Sequence, residues 1–160
     1  MKGLIVIGYP GVGKSSIAGK DGCVDLESGN FFVGEERWKF WCETYCQTAM
    51  DIANQGYTVF VSSHKNVLEC LNSMPLLENV GKVCVFCPRR TMAVEWIEKL
   101  KARFEKTRLF KDYKAWNRAA RHYEEDILSF NDCGLPVYQP EVMDYDLMDY
   151  VKKMRVDWCK

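Results

Sequence analysis

Hydrophobic residues occur in two patterns that alternate along the chain. Short continuous apolar runs are typical of parallel strands covered on both faces. They predict strands at about 2–7, 23–26, 57–61, 82–86 and 134–138. Longer segments, in which apolar residues recur every three or four positions, are typical of helices with one buried side. They predict helices at about 35–55, 66–71, 115–130 and 144–154, another from about 92, and a short one after the first strand.

This alternation of strand and helix predicts an α/β fold with a doubly wound, five-stranded parallel sheet. A length of 160 residues suits one domain, 1–160, and a hydrophobic content of 48% suffices for a buried core. Ligands of such sheets bind beyond the carboxyl ends of the strands. We therefore expect functional residues directly after the strands: in the loop after the first, at Asp25, at 62–64, and at Arg89 and Arg90.

The loop after the first strand carries the most specific motif. Residues 8–15 read Gly-Tyr-Pro-Gly-Val-Gly-Lys-Ser, which fits the phosphate-binding pattern Gly-x4-Gly-Lys-Ser/Thr at every fixed position. A predicted strand precedes it and a predicted helix follows, as the motif requires. In such a loop the backbone N–H groups wrap a polyphosphate, and the helix N-terminus adds partial positive charge. The motif therefore predicts a P-loop NTPase fold and a site for ATP.

Each residue type in this loop has a physical role. Gly11 and Gly13 allow the backbone to approach phosphate oxygens, because a Cβ there would clash or forbid a positive φ. Lys14 is expected to reach the β- and γ-phosphates as a catalytic residue, and the Ser15 hydroxyl to bind Mg²⁺. Pro10 stiffens the start of the loop. The residues predicted to bind the nucleotide are Gly8, Pro10, Gly11, Val12, Gly13, Lys14, Ser15 and Ser16.

Two carboxylates follow the second predicted strand. If the strand persists, the spacing of Asp25 and Glu27 places both on one side of it. Such a pair can hold Mg²⁺ or orient an acceptor, and Asp25 can also take the proton of an alcohol acceptor. We expect Asp25 to be catalytic and a metal ligand, and Glu27 to bind substrate. The alternative is a surface turn with helix-capping acids.

Charge is balanced overall but segregated along the chain. There are 22 basic and 22 acidic residues, which argues against attraction to nucleic acid or membranes. Six of the eight arginines lie at 89–121. Arginine binds two phosphate oxygens at once, so a flexible lid at about 103–118 is expected to close over the nucleotide. We expect Arg103 and Arg108 to bind substrate and Arg118 and Arg121 to be catalytic; the alternative is a solvated helix face.

The eight cysteines have no clear ligand spacing. Cys84 and Cys87 lie in a predicted strand with side chains on opposite faces, and Cys42 and Cys46 share a helix face without a second close pair. We expect buried cysteines that act as small apolar residues. No apolar run has the length of a secretory signal or a membrane span, so a cytoplasmic protein with reduced thiols is expected.

Together these residues resemble the small P-loop kinases: adenylate kinase-like nucleotide kinases, shikimate kinase and gluconate kinase. Asp25-x-Glu27 is similar to the Asp-x-Asp pair of shikimate kinase, which implies magnesium and substrate roles. The segment 61–65 is similar to Cys-Ser-Ala-Leu-Lys of gluconate kinase, and 118–125 to the arginine and Tyr-Glu-Glu run after the lid of shikimate kinase. The run Val24-Asp25-Leu26-Glu27-Ser28 looks most like phage-type nucleotide kinase-like proteins.

This resemblance implies an ATP- and Mg²⁺-dependent phosphotransferase that acts on a small molecule, with a nucleoside or nucleotide as the first choice. A shikimate- or gluconate-like metabolite kinase and a non-catalytic nucleotide-binding module stay open. Polynucleotide 5′-end phosphorylation is disfavoured by the balanced charge. The acceptor, the preference for ATP over GTP and the oligomeric state are not determined by the sequence.

Overall fold

In the computed structural model, five parallel strands form one sheet and six helices surround it. The structure describes residues 1–33, 36–37 and 40–160. The strands are β1 (Gly3–Gly8), β2 (Cys23–Asp25), β3 (Phe32–Val33), β4 (Glu36–Arg37), β5 (Thr58–Val61), β6 (Val80–Phe86) and β7 (Val137–Tyr138). The helices are α1 (Lys14–Ile17), α2 (Trp41–Asn54), α3 (Lys65–Ser73), α4 (Ala93–Thr107), α5 (Phe110–Asn131) and α6 (Leu147–Trp158).

The strand order β2-β5-β1-β6-β7 places β1 at the centre of the sheet. All of its pairings are parallel, which confirms the predicted α/β sheet. After β1 the chain continues to one edge of the sheet, where it forms β2, and after β6 it continues to the other edge, where it forms β7. The direction therefore reverses between the neighbouring strands β1 and β6. Such a reversal opens a crevice beyond the carboxyl ends of these two strands, where ligands of open α/β sheets bind. Packing of α2 on α3, and of α1 on α6, is consistent with a doubly wound arrangement.

The core is built from the central strands, as their apolar runs predict. All six residues of β1 are buried, and the side chains of Leu4, Ile5, Val6 and Ile7 are fully inaccessible. The same holds for Val59, Phe60 and Val61 on β5. A strand buried on both faces forms a rigid base for the loop that follows it.

The structure corrects the predicted helix at 35–55. Residues 36–37 form β4, which pairs with β3 as a small antiparallel sheet, and the described helix α2 begins only at Trp41. Phe32 is aromatic and Val33 is β-branched, and both residue types favour strands. The chain after β2 therefore forms this short strand pair before α2 begins. The predicted helix start at residue 35 lies outside the described residues, as does Trp38, which the helical spacing assigns to the buried side of that helix.

The segment predicted as a lid, 103–118, comprises the end of α4 and the beginning of α5, joined through Arg108 and Leu109. Its closure over a nucleotide stays a prediction. Arg108 ends α4 in the left-handed conformation, with φ 56°. α5 therefore begins at Phe110, five residues before the predicted start at Ala115. None of the helices in the described ranges combines the length and the apolar content needed to cross a membrane.

Candidate functional site

The loop between β1 and α1 lies at the carboxyl edge of the sheet, at its centre. Gly11 and Gly13 have φ values of 89° and 106°, which L-residues with a Cβ rarely adopt. A Cβ added at Gly11 would also lie 3.0 Å from Leu100 and 3.3 Å from the Trp96 indole nitrogen. The two glycines therefore permit a sharply curved loop that packs closely against α4.

The carbonyl groups of this loop are held by other groups of the protein. Four accept side-chain hydrogen bonds: Gly8 from Lys14 Nζ at 3.0 Å, Pro10 from Trp96 Nε1 at 2.9 Å, Val12 from Tyr145 Oη at 2.7 Å, and Gly13 from Ser16 Oγ at 2.7 Å. Tyr9 accepts a bond from the Val12 N–H at 3.3 Å. With its acceptors engaged, the loop has a fixed backbone conformation.

Its amide groups behave differently. Within the described part of the chain, no acceptor takes a hydrogen bond from the N–H groups of Gly11, Gly13, Lys14 and Ser15. A curved loop that presents successive unpaired N–H groups is an anion-binding concavity. Because α1 has a single turn, Lys14–Ile17, the helix dipole adds less than the sequence predicts. The loop amides and Lys14 therefore supply most of the attraction for an anion.

Lys14 is half-buried beneath the loop. Burial lowers the pKa of its ammonium group, while the carboxylates of Asp25 and Glu27 act in the opposite direction. Gly8 leaves room for this side chain, because a Cβ at Gly8 would lie 2.9 Å from Lys14 Cδ. Gly8 thus positions the lysine through both its carbonyl and its missing side chain.

Asp25 and Glu27 lie in the electrostatic field of Lys14, as their place after β2 predicts. Asp25 is the last residue of β2 and is half-buried, whereas Glu27 is exposed. Burial raises the pKa of the Asp25 carboxyl, and Lys14 offsets part of this rise. A carboxylate whose pKa is raised by burial is suited to accept a proton.

Residues whose oxygen atoms suit Mg²⁺ lie at or after the carboxyl ends of three strands, β1, β2 and β5. Ser15 is exposed at the start of α1, and Asp25 lies beyond the neighbouring strand β5. Ser62 follows β5, and its buried Oγ has no hydrogen-bond partner in the part of the chain that the structure describes. Hydroxyl and carboxylate oxygens are the ligands that Mg²⁺ prefers, so these residues fit the ion.

Tyr45 on α2 fixes the loops that carry these groups. Its hydroxyl donates to the Leu26 carbonyl at 2.6 Å and accepts from the Ser62 N–H at 2.9 Å. Burial raises its pKa to about 12, although the bond from Ser62 works against this rise. From its helical spacing Tyr45 is predicted only as a core residue. The polar contacts of its hydroxyl depend on the tertiary fold and leave no pattern in the sequence.

A cavity of about 300 Å³ adjoins the loop on the side of α6. Its lining comprises Val12, Gly13, Ser16, Ile17, Lys99, Met143, Tyr145, Asp146 and Leu147. The Tyr145 ring is stacked parallel to the Trp96 indole, with an interplanar angle of 9°, and Lys99 Nζ lies 4.4 Å from that indole. The sequence does not predict these residues, because Tyr145 lies seven residues beyond β7 and reaches the loop only through the tertiary fold.

Of the four predicted arginines, Arg103 lies nearest to the acids and Lys14. Its positive charge acts on both Lys14 and Asp25. Its Nε also donates to Asp112 at 3.0 Å. Asp112 is buried at the start of α5 and also accepts a hydrogen bond from the Thr107 hydroxyl. These bonds fix the tip of the α4–α5 hairpin, so Arg103 is held beside the site.

Of the other three arginines, Arg118 acts electrostatically on Tyr9 in the loop, although its hydrogen bonds go elsewhere. Arg118 donates to both carboxylate oxygens of Asp126, at 2.9 and 2.7 Å, across a break in α5 at His122. Arg108 lies over the Phe104 ring, and Arg121 is exposed. Among the described residues no hydrogen bond or ion pair links Arg108 or Arg121 to the site. The roles predicted for these three arginines stay predictions.

Arg89 and Arg90, which follow β6, form polar contacts with other parts of the fold. Arg89 Nε donates to the Pro140 carbonyl at 2.9 Å, and Arg90 pairs with Glu124 on α5. The hydroxyl of Tyr123 also donates to the Arg89 carbonyl, at 2.7 Å. These contacts connect the end of β6 to α5 and to the segment after β7.

We expect the Asp112→Ala variant to be less stable than the parent protein by about 2 kcal/mol, because Arg103 and Thr107 lose their shared acceptor. Denaturant unfolding measures this difference. Hydrogen exchange at 103–113 is expected to accelerate as the hairpin tip loosens. Glu105→Ala, which removes only an exposed ion pair with Lys101, is the control and is expected to change stability by less than about 0.5 kcal/mol. Equal stability of the two variants would refute the anchoring role.

Comparisons with known proteins do not assign the chain to a family. No protein-family model matches it, and no curated protein matches it. The chemistry of the site is therefore inferred from its own residues and geometry.

Proposed function

We propose that this protein is a P-loop kinase, an ATP- and Mg²⁺-dependent phosphotransferase that acts on a small molecule, a nucleoside or nucleotide in the first instance. The observation that carries the proposal is the loop at 8–15. Five of its carbonyls accept hydrogen bonds, the N–H groups of Gly11, Gly13, Lys14 and Ser15 are unpaired among the described residues, and Lys14 lies beneath it. A polyphosphate is the ligand that such an array of donors suits best.

The cavity beside the loop supports a nucleotide over a bare phosphate. It shares Val12, Gly13 and Ser16 with the loop, so a molecule whose phosphates lie on the loop can extend into it. The partly exposed ring of Tyr145, which lines the cavity and is backed by the buried Trp96 indole, suits a planar base. We therefore place the phosphates of ATP on the loop and the base in the cavity.

The chain's own groups would hold the charges of the reaction in place. Lys14 would contact the β- and γ-phosphate oxygens, Ser15 and Asp25 would hold Mg²⁺, and Arg103 would offset charge on the acceptor side. Bound ATP supplies the transferable phosphoryl group. The protein contributes position and preorganised charge, which dominate catalysis of this reaction class.

The acceptor side contains features suited to two acceptor classes. Arg103 and Lys111 both act on Asp25 and make this side basic, which favours an acceptor that carries a phosphate. The raised pKa of Asp25 favours an alcohol acceptor, because a general base is needed there. We rank a nucleoside monophosphate first and a sugar or sugar acid second.

A panel of acceptors tests this proposal. The protein is incubated with ATP and Mg²⁺ and with nucleoside monophosphates, nucleosides, sugars and sugar acids in turn, and phosphorylated product is detected by ³¹P NMR. We expect transfer to a nucleoside monophosphate or nucleoside. Transfer only to sugars or sugar acids would instead establish a metabolite kinase. ATP binding with slow hydrolysis and no transfer would favour a nucleotide-binding module.

A further inference from the structure

Three cysteine side chains meet between α2 and α3, away from the loop at 8–15. Cys42 and Cys46 lie one turn apart on α2, and Cys70 lies on α3. Their Sγ atoms all lie within 4.8 Å of one another. All eight cysteines of the chain are free thiols. The sequence shows the pair on α2, but only the packing of α3 against α2 adds the third sulfur.

A fourth sulfur atom borders this cluster. Met74 Sδ, just after α3, lies 3.9 Å from Cys70 Sγ. In the described ranges of the chain, no histidine or carboxylate joins the three cysteines as a further ligand. The potential ligand set therefore consists of three thiols and a thioether, all of them soft donors.

The spacing of the three thiols is close to that of a metal centre. A metal–sulfur bond of about 2.3 Å places the sulfurs of a trigonal or tetrahedral site about 3.8–4.0 Å apart. The three sulfurs thus need to approach one another by less than about 1 Å, which small side-chain rotations provide. Cys42 and Cys70 are partly exposed and give an ion access, whereas Cys46 is buried and closes the inner side.

Metal binding to thiols is coupled to the release of protons. A cation bound by the three sulfurs replaces their protons, so its affinity increases as the pH rises.

We propose that Cys42, Cys46 and Cys70 bind one soft, thiophilic cation, and that Cu(I) is the ion best matched to the site. Thiolate and thioether ligands select Cu(I), which accepts three sulfur ligands. Structural zinc sites have four ligands drawn from cysteine, histidine and carboxylates. This cluster supplies three cysteine ligands, and its nearest fourth donor is the thioether of Met74, which is not a usual zinc ligand. Binding releases up to three protons as the thiols become thiolates.

The experiment is an anaerobic titration of the reduced full-length chain against Cu(I) held by a chromophoric chelator. We expect the parent protein to withdraw one tightly bound equivalent of copper, with an affinity that rises with pH. Cys70→Ser is expected to weaken this binding by about 100-fold or more. Cys133→Ser, which changes a partly buried cysteine that is no member of the cluster, is the matched control and is expected to bind as the parent does.

A second variant and a second readout complete the test. Cys42→Ser, at the start of α2, is expected to reproduce the loss if Cys70→Ser fails to fold. Cu(I) is also expected to raise the melting temperature of the parent by about 5 °C or more at 100 times its dissociation constant, and not that of either variant. Parent-like copper affinity in a folded Cys70→Ser or Cys42→Ser variant would overturn the proposal, as would an equal loss in Cys133→Ser.

Discussion

The Lys14→Met variant is expected to bind ATP in the presence of Mg²⁺ about 100-fold more weakly than the parent protein, and to unfold at nearly the same temperature. The loss follows because Lys14 is the ammonium group beneath the loop, and charge-assisted hydrogen bonds to phosphate are worth about 1.5–3 kcal/mol. The stability is retained because burial already lowers the pKa of Lys14, so its charge is not favoured by folding. Calorimetric titration and thermal melts measure the two quantities.

Lys20→Met is the matched control for this prediction. Lys20 is exposed three residues after the end of α1, so it carries the same charge near the same loop without lying beneath it. We expect its ATP affinity to equal that of the parent. An equal loss of affinity in the two variants would mean that general positive charge, and not the placed ammonium group, attracts the nucleotide.

The Asp25→Asn variant is expected to transfer phosphate at least about 100-fold more slowly while it still binds ATP. The amide can neither accept a proton from the acceptor nor hold Mg²⁺ as a carboxylate does. In the parent protein the rate is expected to fall as the pH drops through the raised pKa of Asp25, and this acidic limb is expected to be absent in the variant. Steady-state rates across the pH range, with the acceptor identified from the panel, measure both effects.

The same substitution is expected to stabilise the protein without ligand at neutral pH. Because folding raises the pKa of Asp25, its contribution to stability is greatest below the pKa of the unfolded chain and is lost as the pH rises through the folded value. Asparagine lacks the charge responsible for this loss. Glu141→Gln, an exposed change after β7, is the control and is expected to alter neither rate nor stability. If the Asp25→Asn variant transferred phosphate slowly and were also less stable than the parent protein, Asp25 would have a structural role instead.

The central parts of this molecule could be predicted because their signals are local. The buried run Leu4–Ile7 predicts a strand covered on both faces, and the spacing of Gly11, Gly13 and Lys14 predicts the loop. Asp25 was predictable because the carboxyl ends of parallel strands share one edge. In each case a few consecutive residues carry the whole pattern.

The parts that were not predicted depend on contacts between distant segments. Tyr145 reaches the Val12 carbonyl from 133 positions away, and Cys70 joins Cys46 only because α3 packs on α2. The arginines suggest a flexible lid at 103–118, whereas the hydrogen bonds that Asp112 accepts from Arg103 and Thr107 in the α4–α5 hairpin leave no pattern in the sequence. Charge indicates exposure, but it does not distinguish a mobile loop from a solvated helix.

The proposed function requires that the N–H groups of the loop at 8–15 bind the phosphates of a nucleotide. Amide ¹H–¹⁵N spectra recorded during titration with ATP and Mg²⁺ observe these groups one by one. We expect large, saturable shifts for the amides of Gly11, Gly13, Lys14 and Ser15, with the same saturation curve for all of them. Unchanged loop resonances at saturating ATP, or shifts confined to other parts of the chain, would contradict it.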